Sequence, residues 1–128
     1  MRWIACCPLW TPNLSFALKW KVAACDPDEE LGLLQGLLDK LPSSARLRLD
    51  ANGGWDRPQA WRWVEQLRGD PRLEWFEQPL AADDWEGLHA IAAVVPVALD
   101  ESLQAHPAWR DQWAVSYTHL RAHETRIH

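Results

Sequence analysis

Short apolar runs alternate along the chain with longer segments that repeat apolar residues at helical spacing. The short runs predict strands at 16–22, 46–50, 73–77 and 97–100. The segments between them predict three helices, and a shorter fourth helix is predicted to begin near Pro107. Strands that alternate with helices in this way are typical of a parallel sheet with right-handed crossovers.

Each of the three predicted helices begins with an aspartate that can accept hydrogen bonds from the free N–H groups of the first turn. These aspartates are Asp26, which precedes Pro27, then Asp56, and finally Asp83 or Asp84. The apolar stripes that follow are Leu31, Leu34, Leu38 and Leu41; Ala60, Trp61, Val64 and Leu67; and Leu88, Ile91 and Ala92. We therefore expect one face of each helix to pack against the sheet.

The length of 128 residues suits one ordinary domain. A complete α/β barrel usually needs roughly 250 residues. The pattern therefore predicts an α/β fold that is either an open doubly wound sheet or part of a TIM-type barrel with about four βα units. No Gly-x-Gly-x-x-Gly motif follows a predicted strand, which removes the usual dinucleotide-binding fingerprint.

Charge and composition narrow the possible partners. The formal net charge of -5 argues against nucleic acid or an anionic membrane as the main partner. No apolar run approaches the roughly 20 residues of a membrane span. The ten tryptophans could form a stacking platform for carbohydrates or bases, but most lie within predicted helices and strands, which favours packing.

The cysteines give an expectation about the redox environment. The three cysteines are Cys6, Cys7 and Cys25, and the first two are adjacent. An odd count with this spacing does not predict a disulfide framework or a zinc site. A reducing cytosol, and therefore a cytoplasmic location, is expected.

Acidic residues end three successive predicted strands, at Asp50, Glu77 and Asp100. A carboxylate at the end of an apolar strand is costly to bury alone. The carboxyl ends of parallel strands meet at one edge of a sheet, and three carboxylates with water can satisfy octahedral Mg²⁺. The spacing therefore predicts that these acids converge on a cation.

Two lysines precede the acids, on the predicted strand at 16–22. Lys19 and Lys21 share one face of that strand, because strand side chains alternate. A lysine that is desolvated beside a second ammonium gives up its proton more easily and can act as a general base. Lysine and metal together suit removal of a proton next to a substrate carboxylate.

Each of these motifs also has a purely structural interpretation. The segment after Asp50 contains Asn52, Gly53 and Gly54, which favour a turn. Glu77 and Asp100 could end strands and cap helices, and the lysines could lie on a solvated edge strand. The four interpretations would have to hold together, in order and at strand ends, so the ordered set favours a functional site.

The ordered motifs resemble the enolase superfamily, in its muconate-lactonizing-enzyme subgroup, over about residues 14–104. Within that subgroup they are most similar to the o-succinylbenzoate synthases. The motifs are Lys19-Trp20-Lys21, Asp50-Ala51-Asn52-Gly53-Gly54, Glu77-Gln78-Pro79-Leu80 and Asp100-Glu101-Ser102. Active sites of this superfamily pair a lysine or histidine base with Mg²⁺. The resemblance implies a partial TIM-type barrel with parallel strands.

The resemblance also implies a role for each matching residue. It makes Asp50, Glu77 and Asp100 the Mg²⁺ ligands. It makes Lys21 the acid/base catalyst and Lys19 a neighbour that sets the local charge or contacts the substrate carboxylate.

Asn52 and Gln78 match positions that line the metal site. The implied cofactor is Mg²⁺, and the implied partner is a small-molecule carboxylate.

Other functions stay open at this point. Dipeptide epimerases, N-acylamino acid racemases and muconate cycloisomerases of the same subgroup share the early chemistry, so these motifs do not separate them. A non-catalytic metal-binding module or a purely structural α/β module is the alternative from another class. The oligomeric state is not predicted.

The two ends of the chain depart from the family pattern. We interpret 1–13 as an N-terminal remnant, 14–114 as the partial barrel, and 115–128 as a non-native tail that resembles a translated sequencing adapter. The capping domain of the family and a further lysine after the last ligand are missing, which favours a fragment. The tail holds His119, His123 and His128, for which a histidine-rich metal site is the disfavoured alternative.

Overall fold

The computed structural model describes residues 9–10 and 17–116. The strands are β1 (Leu9–Trp10), β2 (Ala17–Lys21), β3 (Arg46–Asp50), β4 (Leu73–Glu77) and β5 (Val97–Ala98). The helices are α1 (Pro27–Lys40), α2 (Arg57–Leu67), α3 (Trp85–Ala92), α4 (Glu101–Ala105) and α5 (Trp109–Ser116). The histidines of the interpreted tail, and the alternative metal site considered for them, lie outside the described residues.

The strands form one sheet in the order β1-β2-β3-β4-β5. β2 to β5 are mutually parallel, and helices connect them, as the alternation predicts. This confirms the α/β fold with four parallel strands. The short β1 pairs antiparallel with β2 and was not predicted, since 1–13 was interpreted as an N-terminal remnant outside the barrel.

The aspartate caps begin the first three helices as predicted. Asp26 accepts a hydrogen bond from the Glu29 N–H at 3.0 Å, and Asp56 accepts one from Gln59 at 2.8 Å. Of the two candidates for the third cap, Asp84 is the one that bonds the helix. The predicted strand at 97–100 is too long, because β5 ends at Ala98, and α4 begins at Glu101, where only a possible helix cap at Asp100 was considered.

The core lies between the sheet and its helices, and tryptophans fill much of it. Trp20 of β2 and Trp63 of α2 are fully buried, with ring centroids 5.3 Å apart. Trp55 packs on Trp63 at 4.9 Å and meets Phe76 of β4 edge-on. The structure thus supports packing rather than a surface platform as the role of these tryptophans.

Two further expectations meet the structure. No helix within the described part of the chain is long and apolar enough to cross a membrane. Cys25 is disulfide-bonded, so the expectation that the cysteines form no disulfide was wrong. An odd cysteine count argues against a fully paired framework but does not exclude a single disulfide.

Candidate active site

The sheet has a second face, opposite the helix-packed core, and this face carries the predicted site. Leu18 and Trp20 are buried on the core side, so Lys19 and Lys21 lie on the other side. Lys21 is in register with Asp50, and Asp50 is in register with Glu77. The parallel register therefore brings three predicted site residues into one row at the carboxyl ends of β2, β3 and β4.

Lys21 is held by two neighbours from the next strand and its loop. Its Nζ donates a hydrogen bond to Asn52 Oδ1 at 2.7 Å and lies 3.7 Å from Asp50 Oδ2. Asn52 also donates from Nδ2 to Glu101 Oε2 at 3.0 Å. Lys19 is one row below and exposed, so the structure places it outside these contacts.

Negative charge accumulates at the carboxyl ends of the strands. Burial raises the pKa of Glu77 to about 7, with repulsion from Asp50, Asp100 and Glu101 adding to the rise. Burial also raises the pKa of Asp50, although the Asn52 N–H and Lys21 oppose the increase. No described residue donates a hydrogen bond to the Glu77 carboxyl. One lysine therefore faces several acids, which leaves the row short of positive charge.

Asp100 lies just beyond β5 and is tied to the β4 loop by Gln78. The Gln78 Oε1 accepts hydrogen bonds from the Asp100 and Ser102 backbone N–H groups, both at 3.0 Å. Gln78 Nε2 donates to Leu80 O at 3.0 Å and to Ser102 Oγ at 2.6 Å. Gln78 is fully buried and uses its amide inside the loops, so it positions the Asp100 backbone.

Glu30, in the first turn of α1, supports the loop beside the site, and the sequence analysis did not single it out. Its carboxylate is buried and accepts hydrogen bonds from the backbone N–H groups of Ala23, Ala24 and Cys25, at 3.0 to 3.1 Å. These residues lie in the loop between β2 and α1, and only Val22 separates them from Lys21. Glu30 therefore fixes the exit of β2, where Lys21 stands.

Glu101 is the second residue that the sequence reasoning did not assign to the site. It follows Asp100 directly and raises the pKa of both Asp50 and Glu77. Its Oε1 is buried and has no hydrogen-bond partner among the described residues. The pair of adjacent acids, Asp100 and Glu101, could have indicated that both belong to the site. The sequence analysis assigned a role as metal ligand to Asp100 and no role to Glu101.

The residues fit Mg²⁺ in their donor chemistry. Asp50, Glu77 and Asp100 supply the carboxylate oxygens that this ion prefers, and the unpartnered Glu101 Oε1 marks uncompensated negative charge. Within residues 9–10 and 17–116, however, no three or more His, Cys, Asp or Glu side chains are grouped closely enough to hold a metal ion. The charge of the site thus suits a cation, while its acids are not gathered into a ready coordination shell.

Comparison with protein families gives one match that covers most of the chain. The family model described as enolase C-terminal domain-like matches residues 15–116. This range contains every predicted site residue. It also contains Glu30 and Glu101.

Relatives of known function share the same segment. An o-succinylbenzoate synthase of Thermosynechococcus vestitus is 48% identical over 89 residues, which cover 66% of this chain and 28% of that protein. Muconate cycloisomerase 1 of Rhodococcus opacus is 33% identical over 91 residues, covering 70% of this chain and 24% of that protein. The chain therefore spans only about a quarter of the length of these relatives.

A solved structure is similar to this chain in its fold and its sequence. The crystal structure of o-succinylbenzoate synthase from Thermosynechococcus elongatus BP-1, complexed with Mg in the active site, matches with a TM-score of 0.64 and 43% identity. The match covers 76% of this chain and 32% of that one. The fold and the sequence thus point to the same group of enzymes.

Proposed function

The chain belongs to the enolase C-terminal domain-like family, and on that premise we propose that it is a segment of an o-succinylbenzoate synthase. The proposed reaction is the Mg²⁺-dependent dehydration of 2-succinyl-6-hydroxy-2,4-cyclohexadiene-1-carboxylate to o-succinylbenzoate, a step of menaquinone or phylloquinone synthesis. A lyase of this kind acts on a small carboxylate, whose negative charge a bound cation would offset.

The observation that carries the proposal is the row formed by Lys21, Asp50 and Glu77. It places one amine beside carboxylates at the carboxyl ends of parallel strands, where α/β barrels build their active sites. The higher identity to a synthase, 48% against 33% for the cycloisomerase, favours dehydration among the subgroup reactions.

The chemistry assigns separate tasks to the residues. Neutral Lys21 takes the proton from the ring carbon next to the carboxylate, and the electron pair of that C–H bond moves toward the carboxylate. The pair then returns to the ring as the C–OH bond breaks, and the Lys21 ammonium gives its proton to the departing oxygen. The products are water and the aromatic ring, so the lysine ends in its starting state.

Asp50, Glu77 and Asp100 would hold the metal. Mg²⁺ bound there would supply the positive charge that stabilises the developing negative charge on the substrate carboxylate. Lys19, on the same face of β2 as Lys21, would add positive charge to that face. Asn52 orients Lys21, and Gln78 holds the backbone of Asp100.

A sister activity is the second candidate. The cycloisomerase of Rhodococcus opacus and an L-Ala-D/L-Glu epimerase of Bacillus subtilis are each 33% identical over this segment. The lysine and the acid row serve these reactions as well. The substrate therefore decides between the candidates.

The test uses the longer protein that contains this chain. We expect it to convert the cyclohexadiene carboxylate to o-succinylbenzoate, and Lys21→Ala to lower kcat by about 10²–10⁴-fold. Lys40→Ala is the control, since Lys40 is exposed in the last turn of α1, and it should keep full activity. Turnover of muconate or a dipeptide without dehydration would establish a sister activity instead, and no turnover with Mg²⁺ would favour a structural module.

A further inference from the structure

Three side chains from three different βα units form a continuous chain of hydrogen bonds across the site. Lys21 ends β2, Asn52 lies in the loop after β3, and Glu101 begins α4 after β5. Lys21 Nζ donates to Asn52 Oδ1 at 2.7 Å, and Asn52 Nδ2 donates to Glu101 Oε2 at 3.0 Å. Asn52 therefore joins the first and the last parallel strands of the sheet at their carboxyl ends.

The chemistry of Lys21 and Glu101 at its two ends fixes the donor-to-acceptor direction of this series of hydrogen bonds. An ammonium can only donate hydrogen bonds, and a carboxylate can only accept them. The Asn52 amide must therefore turn its oxygen to Lys21 and its NH₂ to Glu101. The reversed amide would place two donors together at one end and two acceptors together at the other.

The backbone of Asn52 is also arranged for this task. Its φ is 50°, in the left-handed region that asparagine tolerates better than most residues. Its N–H donates to Asp50 Oδ1 at 3.0 Å, which anchors the turn to the end of β3. The side chain thus leaves a fixed turn and reaches both neighbours.

We propose that Asn52 and Glu101 are positioning residues for Lys21, with Glu101 selecting the amide orientation that lets Asn52 hold the Lys21 ammonium. The proposal rests on the assignment of Lys21 as the proton carrier. The Lys21 side chain is 40% exposed and flexible by nature, so the uncharged Asn52 acceptor restricts its ammonium without neutralising it. Glu101 acts through Asn52, because it is Asn52 that bonds Lys21.

The direct test measures the motion of the Lys21 ammonium by ¹⁵N NMR relaxation in the whole 128-residue chain. At mildly acidic pH, where ammonium exchange is slow, we expect a higher order parameter for Lys21 than for the exposed Lys40. Asn52→Gly should lower the Lys21 value toward that of Lys40, although the ion pair with Asp50 remains. Glycine accepts the positive φ, so this variant keeps the turn, and the backbone spectrum verifies the fold.

Glu101 is tested by a matched pair of substitutions. Glu101→Gln still presents an oxygen to Asn52 Nδ2 and should keep the Lys21 order parameter. Glu101→Leu fills similar space without an acceptor and should lower it. An unchanged Lys21 order parameter in folded Asn52→Gly, or equal loss in both Glu101 variants, would overturn the proposal.

Kinetics of the longer protein supply a second readout. Asn52→Gly and Glu101→Leu should lower kcat by about tenfold with little change in KM, and Glu101→Gln should lose less of kcat than Glu101→Leu. Equal changes in kcat and KM for all three variants would contradict a positioning role. If the parent lacks dehydratase activity, the proposed function fails, whereas the ammonium measurement still decides the inference about Lys21.

Discussion

The helix-packed face of the sheet and the opposite face differ in how they treat charge. On the helix side Trp20, Leu49 and Phe76 are fully buried, and they stabilise the fold through buried apolar area and close packing. On the opposite side Lys21 and Glu77 occupy the same strands and are only partly buried. The same strands therefore serve two purposes, because successive side chains point to opposite faces.

The opposite face is itself divided into two rows. In the lower row, Arg48 forms an ion pair with Glu74 and lies 4.6 Å from the centre of the Trp75 ring, so its charge is matched. In the upper row, Lys21 faces an excess of acids, and the pKa values of Asp50 and Glu77 rise. Charge is matched where the sheet needs stability and left in excess where a ligand is expected.

The largest expected effect removes a packed side chain from the helix face. Trp63 is fully buried between Trp20 and Trp55, so Trp63→Ala should lower the free energy of unfolding by about 3–5 kcal/mol. Lys19→Ala, on the opposite face, should change it by less than about 0.5 kcal/mol. Urea unfolding monitored by circular dichroism measures both. Similar losses in the two variants would erase the contrast between the faces.

A smaller effect is expected at the loop between β2 and α1. Glu30→Ala removes the acceptor of three backbone N–H groups and should cost about 2–3 kcal/mol of unfolding free energy. The control is Glu29→Ala, which removes a neighbouring exposed carboxylate and should cost about 0.5 kcal/mol or less. The same unfolding experiment compares them, and equal losses would show that the Glu30 contacts do not stabilise the loop.

The smallest effect concerns the upper row and depends on pH. The pKa of Glu77 is raised from 4.5 to about 7, so the folded chain binds this proton more tightly than the unfolded chain. The contribution of Glu77 to stability should therefore be fully present below about pH 4.5 and be lost as pH rises to about 7. The loss should be about 1–2 kcal/mol, less than the full shift implies, because solvent screens a partly exposed carboxyl.

Glu77→Gln should flatten that decline, because glutamine does not titrate. Glu65→Gln, an exposed change on α2, should leave the decline intact. Unfolding free energies measured across this pH range without metal test the pair. A decline that persists unchanged in Glu77→Gln would place its origin elsewhere.

Local features of this fold could be predicted from the sequence, and contacts between distant residues could not. The aspartate caps and the strands at 46–50 and 73–77 depend on neighbouring residues, and the structure confirms them. The end of β5 was missed because Gln78, 22 residues earlier, takes the Asp100 N–H through its side chain.

The same limit applies to the candidate site. The register that aligns Lys21, Asp50 and Glu77 follows from parallel strands of similar length, so the row was predictable. The bond from Asn52 to Glu101 spans 49 residues, and no local spacing encodes it. Glu30 was predictable as a helix residue but not as the acceptor for the preceding loop.

The central proposal is that the upper row, and not the rest of the chain, binds a divalent cation. Thermal unfolding of the chain at neutral pH, with Mg²⁺ added against NaCl of equal ionic strength, tests it most directly. We expect Mg²⁺ to stabilise the parent and Lys40→Ala, by about 2.7 kcal/mol at a hundredfold excess over Kd, and to leave Asp50→Asn unchanged. No stabilisation of the parent, or the same stabilisation in Asp50→Asn, would contradict the claim.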